Sequence, residues 1–191
     1  MAVYTQTQQP IMITVYCDGS CLNNGSRKAI GGIGVYFEND PQFNLEEGWD
    51  PTTLGVPTNQ RTEIQAAIRT LETIQGHYDD KIKSIDIYTD SDYVYKGITS
   101  WMSTWKKCNW KTYNLKQVKN QDLWGKLDTL IVKLKDTYPP IKWHHVFGHQ
   151  GIRGNEEADK LAQRAASLMM KKKITSQLDE QHEPPMKKIK L

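Results

Sequence analysis

Four acidic residues of this sequence stand where predicted strands end or predicted helices begin: Asp18, Glu63, Asp90 and Asp159. The first and third each follow a β-branched run typical of a buried strand, Ile11–Cys17 and Ser84–Thr89. Neighbouring parallel strands would bring both residues to one edge of a sheet, which is the edge where α/β folds bind ligands. The second and fourth lie near the starts of predicted helices, from which they could reach the same cleft.

Carboxylates gathered at one edge repel one another unless cations neutralise them. An all-carboxylate ligand set favours hard cations such as Mg²⁺ or Mn²⁺ over zinc. Two such ions about 4 Å apart would hold the attacking and leaving oxygens of a phosphodiester. The alternative for each residue taken alone is structural, because Asp18 and Asp90 could form turns or caps, and Glu63 and Asp159 could complement helix dipoles.

Hydrophobic periodicity predicts the elements that would position these residues. Strands are expected over residues 11–17, 29–38, 43–49, 84–89 and 141–147, and helices over 60–76, 93–101 and from 123 to 134, with a last helix that contains Ala158 and Leu168. A meander of strands followed by alternating helices and strands indicates one mixed sheet covered by helices. Asn59 is the expected N-cap of the first helix. Asp86 lies opposite in phase to its apolar strand neighbours and is expected to be exposed.

Composition and cysteine usage limit the class of protein. The chain has 191 residues, of which 38% are hydrophobic and 25% charged, as in a polar globular domain with a tail. Three cysteines without framework spacing indicate a reduced, intracellular compartment. A zinc site of Cys17, Cys21 and His144–His145 is disfavoured, because there is no second cysteine pair. Neither a signal peptide nor an apolar run long enough to span a bilayer is evident.

The segment Trp101–Asn120 combines aromatic and basic residues and contains no acidic residue. Its lysines are Lys106, Lys107, Lys111, Lys116 and Lys119. Lysines interleaved with aromatic rings favour contact with nucleic acid, since the cations would bind phosphates. The alternative is that the tryptophans belong to the core and the lysines form a solvated face.

Four blocks occur in an order that resembles ribonuclease H of the cellular type 1 family: Tyr16–Ser20, Thr58–Glu63, Tyr88–Ser91 and Gly148–Asp159. The similarity extends over residues 11–166. It implies an α/β, ribonuclease H-like fold, in which a five-stranded mixed sheet is flanked by helices. It also implies three regions, namely a flexible N-terminus at 1–10, a ribonuclease H catalytic domain at 11–170 and a basic, disordered tail at 171–191.

The resemblance implies hydrolysis of the RNA strand of RNA–DNA hybrids by two-metal-ion catalysis, leaving 5′-phosphate and 3′-hydroxyl ends. The expected cofactor is Mg²⁺, two ions per site, with Mn²⁺ as a substitute. Asp18 would bridge both ions, Glu63 and Asp90 would hold the ion on the leaving-group side, and Asp159 would hold the ion that activates water. His149 matches a histidine that assists proton transfer or product release.

Further positions match residues that contact the hybrid in the family. Three amides would read the minor groove, where they can donate to and accept from 2′-hydroxyls and base edges: Asn24, Asn59 and Gln60. Lysines of Trp101–Asn120 would follow the phosphates of the DNA strand, and its first two tryptophans would pack along the sugars: Lys106, Lys107, Lys111, Trp101 and Trp105.

Thr58 and Asn120 match a pocket that holds a DNA phosphate in the family. Two departures weaken the expected grip on DNA. Val56 stands where related animal-type enzymes carry an arginine, and Tyr113 stands where a small hydroxyl residue is common. The chemistry of the carboxylates would be unaffected.

The C-terminal motif Lys187-Lys188-Ile189-Lys190 is similar to a nuclear import signal, so the nucleus is one expected location and the cytoplasm the other. Two other functions stay open, namely a module that binds hybrid or duplex without cutting, and a different nuclease on the same fold. The expected partner is an RNA–DNA hybrid. No membrane association is expected, and a monomer is the default oligomeric state.

Overall fold

A computed structural model describes residues 11–78 and 82–182. Its five strands are β1 (Ile11–Leu22), β2 (Ile30–Phe37), β3 (Leu45–Gly48), β4 (Ile82–Thr89) and β5 (Ile141–His145). They form one sheet in the order β3-β2-β1-β4-β5. The β3–β2 and β2–β1 pairs are antiparallel, whereas β1–β4 and β4–β5 are parallel. The expected five-stranded mixed sheet flanked by helices is therefore confirmed.

Helices cover the sheet, and the loops that connect them to the strands surround its carboxyl edge. Their bounds are α1 (Pro51–Leu54), α2 (Asn59–His77), α3 (Asp92–Lys96), α4 (Met102–Lys107), α5 (Gln121–Lys135) and α6 (Arg153–His182), with a π-helical turn at Gly97–Trp101. The helix predicted over 93–101 thus consists of α3 and this turn, and the chain continues directly into α4.

The two faces of the sheet are packed differently. On one face, the alternating residues Ile13, Val15 and Cys17 of β1 are buried together with the apolar side of α2, including Ile64 and Ile68. This alternation is the expected pattern of a strand with one face against a helix. Burial of these apolar side chains stabilises the contact between the sheet and α2, and this contact supports the polar edge.

α6 lies on the opposite face, where small residues let backbone meet backbone. A Cβ atom on Gly34 would lie 2.1 Å from the carbonyl oxygen of Ala158, and one on Gly32 would lie 2.2 Å from that of Ala162. Only glycine allows so close an approach of strand and helix. The position of α6 on the sheet is therefore set by steric contact.

β1 is longer than predicted, because its two edges pair over different lengths. Its pairing with β4 extends only to Tyr16–Tyr88, but its pairing with β2 continues to Leu22–Ile30. Asp18 is consequently inside the strand rather than in a turn after it. The sequence pattern failed here because the Gly-Ser-Cys part of β1 has little intrinsic strand preference and is held by β2.

Two local predictions were wrong. The N-cap of α2 is Thr58 rather than Asn59, and its hydroxyl accepts from the Arg61 N–H at 3.2 Å. Asp86 is only partly exposed, since its Oδ1 lies 2.8 Å from Nε2 of His144 on β5. A partner on a neighbouring strand cannot be read from the alternation of a single strand.

The tail expected to be disordered from Lys171 is helical up to His182, because α6 continues without a break. Lys, Gln and Leu have good helix propensities, so an existing helix can propagate through them. The 1–10 segment and the motif at 187–190 lie outside the described residues. No helix in the described part of the chain combines the length and hydrophobicity needed to cross a membrane.

Candidate active site

The carboxyl edge of the sheet opens where β1 and β4 separate. Their last parallel pair is Tyr16–Tyr88, and Asp18 and Asp90 each follow two residues later. Asp18 stays fixed by its antiparallel pair with Gly34 of β2. The two carboxylates thus occupy equivalent positions on neighbouring chain segments, at the point where the strands separate to form a cleft.

Glu63 and Asp159 are brought to this cleft by close packing of α2 and α6. A Cβ on Gly19 would lie 2.3 Å from the Glu63 backbone nitrogen, so α2 contacts β1 directly after Asp18. The first turn of α6 is seated equally closely, because a Cβ on Gly154 would lie 2.1 Å from the Tyr16 ring. Asp159 follows in the second turn of that helix.

Each of the four carboxylates accepts a hydrogen bond from a neutral neighbour. The donors are the Gly19 N–H to Asp18 at 2.8 Å, the Ser91 hydroxyl to Glu63 at 2.5 Å, the Asn155 amide to Asp90 at 2.9 Å and the Gln163 amide to Asp159 at 2.6 Å. Each bond uses one carboxylate oxygen, and the other oxygen makes no hydrogen bond within the described residues. The side chains are therefore oriented but keep an oxygen available.

The charges of the four residues influence one another. Burial is the largest cause that raises the pKa of Asp18, to about 7, followed by the charge of Asp90; Asp159 and Glu63 add to the increase, and the hydrogen bond from the Gly19 N–H opposes it. Burial also raises the pKa of Glu63, with a further contribution from Asp90 and an opposing hydrogen bond from Ser91. Buried carboxylates that resist ionisation beside like charges, as Asp18 and Glu63 do, are typical of a site that binds a cation.

The donor set fits a hard divalent cation, although the side chains do not form a finished coordination shell. No group of three His, Cys, Asp or Glu side chains in the described residues is already arranged to hold one ion. All four candidates offer carboxylate oxygens, the ligand type that Mg²⁺ prefers. A bound cation would offset the repulsion between these like charges.

The family model for RNase H matches residues 10–167, which include the whole sheet and all four carboxylates. The chain belongs to the ribonuclease H family. It is 41% identical over 155 residues to the ribonuclease H of Pectobacterium atrosepticum, covering 81% of this chain and 90% of that protein. It is 38% identical over 165 residues to the ribonuclease H of Francisella philomiragia, covering 86% and 95%. The sequence-based assignment of the chain as a ribonuclease H enzyme is confirmed.

Solved structures of ribonucleases H have the same fold. LC9-RNase H1, a type 1 RNase H, aligns with a TM-score of 0.61 and 27% identity over 82% of this chain and 72% of that chain. LC11-RNase H1, solved in complex with RNA/DNA hybrid, aligns with a TM-score of 0.56 and 20% identity over 83% and 99%. The second similarity concerns the fold alone.

His149, the fifth predicted catalytic residue, lies on the ribonuclease H loop between β5 and α6. It is exposed and adopts a positive φ of 55°. The preceding Gly148 lies against Asp90, since a Cβ there would be 2.9 Å from Oδ2. The loop is thus next to the carboxylates, and the imidazole faces solvent. Its role in proton transfer stays a prediction.

The three amides predicted to read the minor groove lie together on one side of the cleft. Asn24 in the β1–β2 turn accepts from the Asn59 backbone N–H at 3.3 Å, which links the turn to the start of α2. Asn59 and Gln60 are the first two residues of α2, and all three side chains are exposed. Their clustering is consistent with one continuous polar surface beside Glu63.

Thr58 and Asn120, predicted to hold a DNA phosphate, are connected through Arg61. The Arg61 guanidinium donates to Oδ1 of Asn120 at 3.4 Å and to both carboxylate oxygens of Asp122, and it lies 5.8 Å from the centre of the Trp49 ring. A cation is therefore present beside the pocket even though Val56 replaces the expected arginine. Asp122 neutralises much of its charge.

The segment Trp101–Asn120, here called the basic protrusion, is anchored by aromatic packing. The Trp105 ring lies 5.7 Å from that of Trp101 and 5.5 Å from that of Trp124, whose side chain is fully buried. Trp101 and Trp105 are themselves partly buried. The rings thus support the protrusion and keep one side accessible, and their contact with the hybrid stays a prediction.

The accessible side of the basic protrusion contains a mainly apolar cavity whose lining includes one lysine. Trp101, Trp105, Lys111 and Tyr113 are among the residues that line a cavity of about 510 Å³. Of the predicted phosphate contacts, Lys107 and Lys111 are exposed, but Lys106 forms an ion pair with Asp128 of α5 at 2.8 Å. An acidic partner from another element could not be anticipated from the protrusion alone.

Sequence reasoning missed the residues that orient the carboxylates: Ser91, Asn155 and Gln163. Ser91 also caps α3, where its hydroxyl accepts from the Val94 N–H at 3.2 Å. Asn155 is buried, and its Oδ1 has no partner within the described residues. The available signal was proximity in sequence, because Ser91 directly follows Asp90 and Asn155 directly follows the glycine that contacts Tyr16.

Proposed function

We propose that this chain is an endonuclease that hydrolyses the RNA strand of RNA–DNA hybrids and leaves 5′-phosphate and 3′-hydroxyl ends. The observation that supports the proposal is the arrangement of four carboxylates, those of Asp18, Glu63, Asp90 and Asp159, on elements that meet at the open edge of the sheet. Such a group is unfavourable in a domain that only binds nucleic acid, since phosphates repel it. Membership of the ribonuclease H family supports this substrate class.

Asp18, Glu63, Asp90 and Asp159 would hold two Mg²⁺ ions, for which Mn²⁺ can substitute. When bound, the ions supply Lewis-acid stabilisation of the phosphoryl oxygens and a nucleophilic water. The chain itself orients the ligands through the Gly19 N–H, Ser91, Asn155 and Gln163. Orientation by such neighbours preserves ligand geometry while the substrate binds.

Substrate selection would come from the polar surface beside the cleft. The amides of Asn24, Asn59 and Gln60 can hydrogen-bond both 2′-hydroxyls and base edges. Because only the RNA strand carries 2′-hydroxyls, contact with them would decide which strand is cut. His149 would exchange a proton with solvent or assist product release from its exposed position.

Cleavage assays with labelled RNA–DNA hybrid, RNA duplex and DNA duplex test this proposal. We expect cleavage of only the RNA strand of the hybrid, dependence on Mg²⁺ or Mn²⁺, and complete loss with EDTA. Ligation and phosphatase treatment would identify 5′-phosphate ends. Binding without cleavage in both metals would instead support a non-cleaving module, and cleavage of DNA duplex would support a different nuclease on the fold.

The lysines of the basic protrusion are expected to differ in their effect on hybrid binding. Replacing Lys107 and Lys111 with alanine should flatten the dependence of log K on log salt concentration by about one unit per lost phosphate contact. Replacing Lys106 should change this slope less, because its ammonium group is already paired with Asp128. Fluorescence anisotropy over a salt series measures the difference, and equal slopes for all three variants would contradict it.

A further inference from the structure

The direction of α6 across the sheet brings its C-terminal part toward the β1–β2 turn. Ala158 of α6 packs on Gly34, the β2 residue that pairs with Asp18. Ala165 packs on Gly32, two residues nearer to the start of β2. α6 therefore advances along β2 from the level of Asp18 toward the β1–β2 turn.

The next two turns of α6, residues Lys171–Leu178, reach that turn and are here called the α6 extension. Lys173 of the extension and Lys28 of the turn line one cavity of about 240 Å³, together with Asn23 and Ile174. Lys172 and Lys173 also line a cavity of about 410 Å³ whose other side includes Trp49 and Pro57. The extension is thus next to the turn that carries Asn24 and not remote from the cleft.

The α6 extension and the β1–β2 turn together present a positive surface without an acidic partner among the side chains that the structure describes. Its exposed cations are Arg27, Lys28, Lys171, Lys172 and Lys173. None of them takes part in the ion pairs found among the described residues. The sequence contains no acidic residue from 21 to 37 or from 171 to 178. Lys106 and Lys160 differ in this respect, because each has an acidic partner.

The body of α6 and the basic protrusion pack on opposite faces of the sheet. A Cβ on Gly31 would point at Thr62 of α2, whereas one on the next residue, Gly32, would point at α6. α5, which directly follows the basic protrusion, packs on α2. A duplex lying across the polar edge would therefore have the protrusion on one flank and the α6 extension on the other.

We propose that the α6 extension and the β1–β2 turn form a second phosphate-binding surface for the hybrid, opposite the basic protrusion. The proposal rests on the proposed function, because a hybrid held at the carboxylates passes between the two basic surfaces. The contribution of this surface to hybrid binding is electrostatic and does not depend on the nucleotide sequence. This surface strengthens binding where the DNA-phosphate pocket is weak. In that pocket Val56 replaces an arginine, and the Arg61 guanidinium is paired with Asp122.

The test compares the K172Q/K173Q variant with K133Q/K135Q, which removes the same charge from exposed positions near the end of α5. Binding to a labelled hybrid is measured over a salt series in EDTA, so that no cleavage occurs. We expect the slope of log K against log salt concentration to fall by about one to two units in K172Q/K173Q and to stay unchanged in the control. Lys28→Gln, which leaves the helix intact, should lower the slope by up to about one unit.

Unchanged slopes in K172Q/K173Q and Lys28→Gln would overturn the inference, and so would equal reductions in the test and control variants, because these would reflect net charge alone. Cleavage of the hybrid by the unaltered chain in Mg²⁺ is measured separately. If that cleavage is absent, the proposed function fails, whatever the slopes. If cleavage occurs and the slopes do not change, only the second phosphate-binding surface is refuted.

Discussion

Replacing Asp18 with asparagine is expected to abolish hybrid cleavage and, in the absence of metal, to stabilise the fold at neutral pH. Asparagine cannot supply the negative charge that would neutralise both ions, so cleavage should fall more than about a hundredfold. The same change removes a charge that burial and three neighbouring carboxylates oppose. Loss of activity would thus be accompanied by a gain in stability, which distinguishes a functional residue from a structural one.

The pH dependence follows from the direction of the pKa shift. The pKa of Asp18 rises from 3.8 to about 7 on folding, so the folded state binds this proton more tightly than the unfolded state. The stability that it contributes is present below pH 4 and is lost as the pH rises to 7. The gain from Asp18→Asn should therefore be near zero at pH 4 and grow to at most about 4 kcal/mol above pH 7.

Urea unfolding in EDTA at several pH values measures this gain, and Asp122→Asn provides a control of opposite sign. The Arg61 hydrogen bond lowers the pKa of Asp122, so its loss should destabilise the fold at neutral pH and have little effect in acid. Adding Mg²⁺ should stabilise the unaltered chain more than Asp18→Asn, because binding to the folded state is linked to stability. An Asp18→Asn variant that cleaves at the normal rate would refute the site assignment.

The sequence predicted those features that depend on local periodicity and on strand order. The apolar spacing of Ile64, Ile68 and Leu71 identified α2, because a helix that packs on a sheet needs one apolar stripe. Asp18 and Asp90 were expected at one edge because both follow buried runs that could pair in parallel. The observed parallel register of β1 and β4 meets that expectation.

The features that were not predicted depend on contacts between distant segments. The second half of β1 is a strand only because β2 pairs with it, and His144 reaches Asp86 only because β5 is the neighbour of β4. The hydrogen bonds from Asn155 to Asp90 and from Ser91 to Glu63 likewise join elements far apart in the chain. Residue type and spacing suggest which groups are polar, but the partner of each group follows from tertiary packing.

The second large effect is expected from Gly34→Ala, which tests whether steric contact positions Asp159. The new Cβ would lie 2.1 Å from the Ala158 carbonyl oxygen and 2.6 Å from the Ala162 nitrogen, and both are backbone atoms of α6. Since these atoms cannot rotate away, α6 has to shift and carry Asp159 with it. We expect a loss of about 1–3 kcal/mol in the free energy of unfolding and a higher Mg²⁺ requirement for cleavage.

Gly125→Ala is the matched control, because it adds the same methyl group inside α5, where no heavy atom beyond the local helix backbone comes within 4 Å. Alanine is the better helix former, so this change should stabilise the fold by about 0.5–1 kcal/mol and leave cleavage unaltered. Urea unfolding and Mg²⁺ titrations of cleavage rate are measured for both variants. If Gly34→Ala lost stability but kept its Mg²⁺ requirement, α6 would contribute packing only, and Asp159 would tolerate displacement from the other carboxylates.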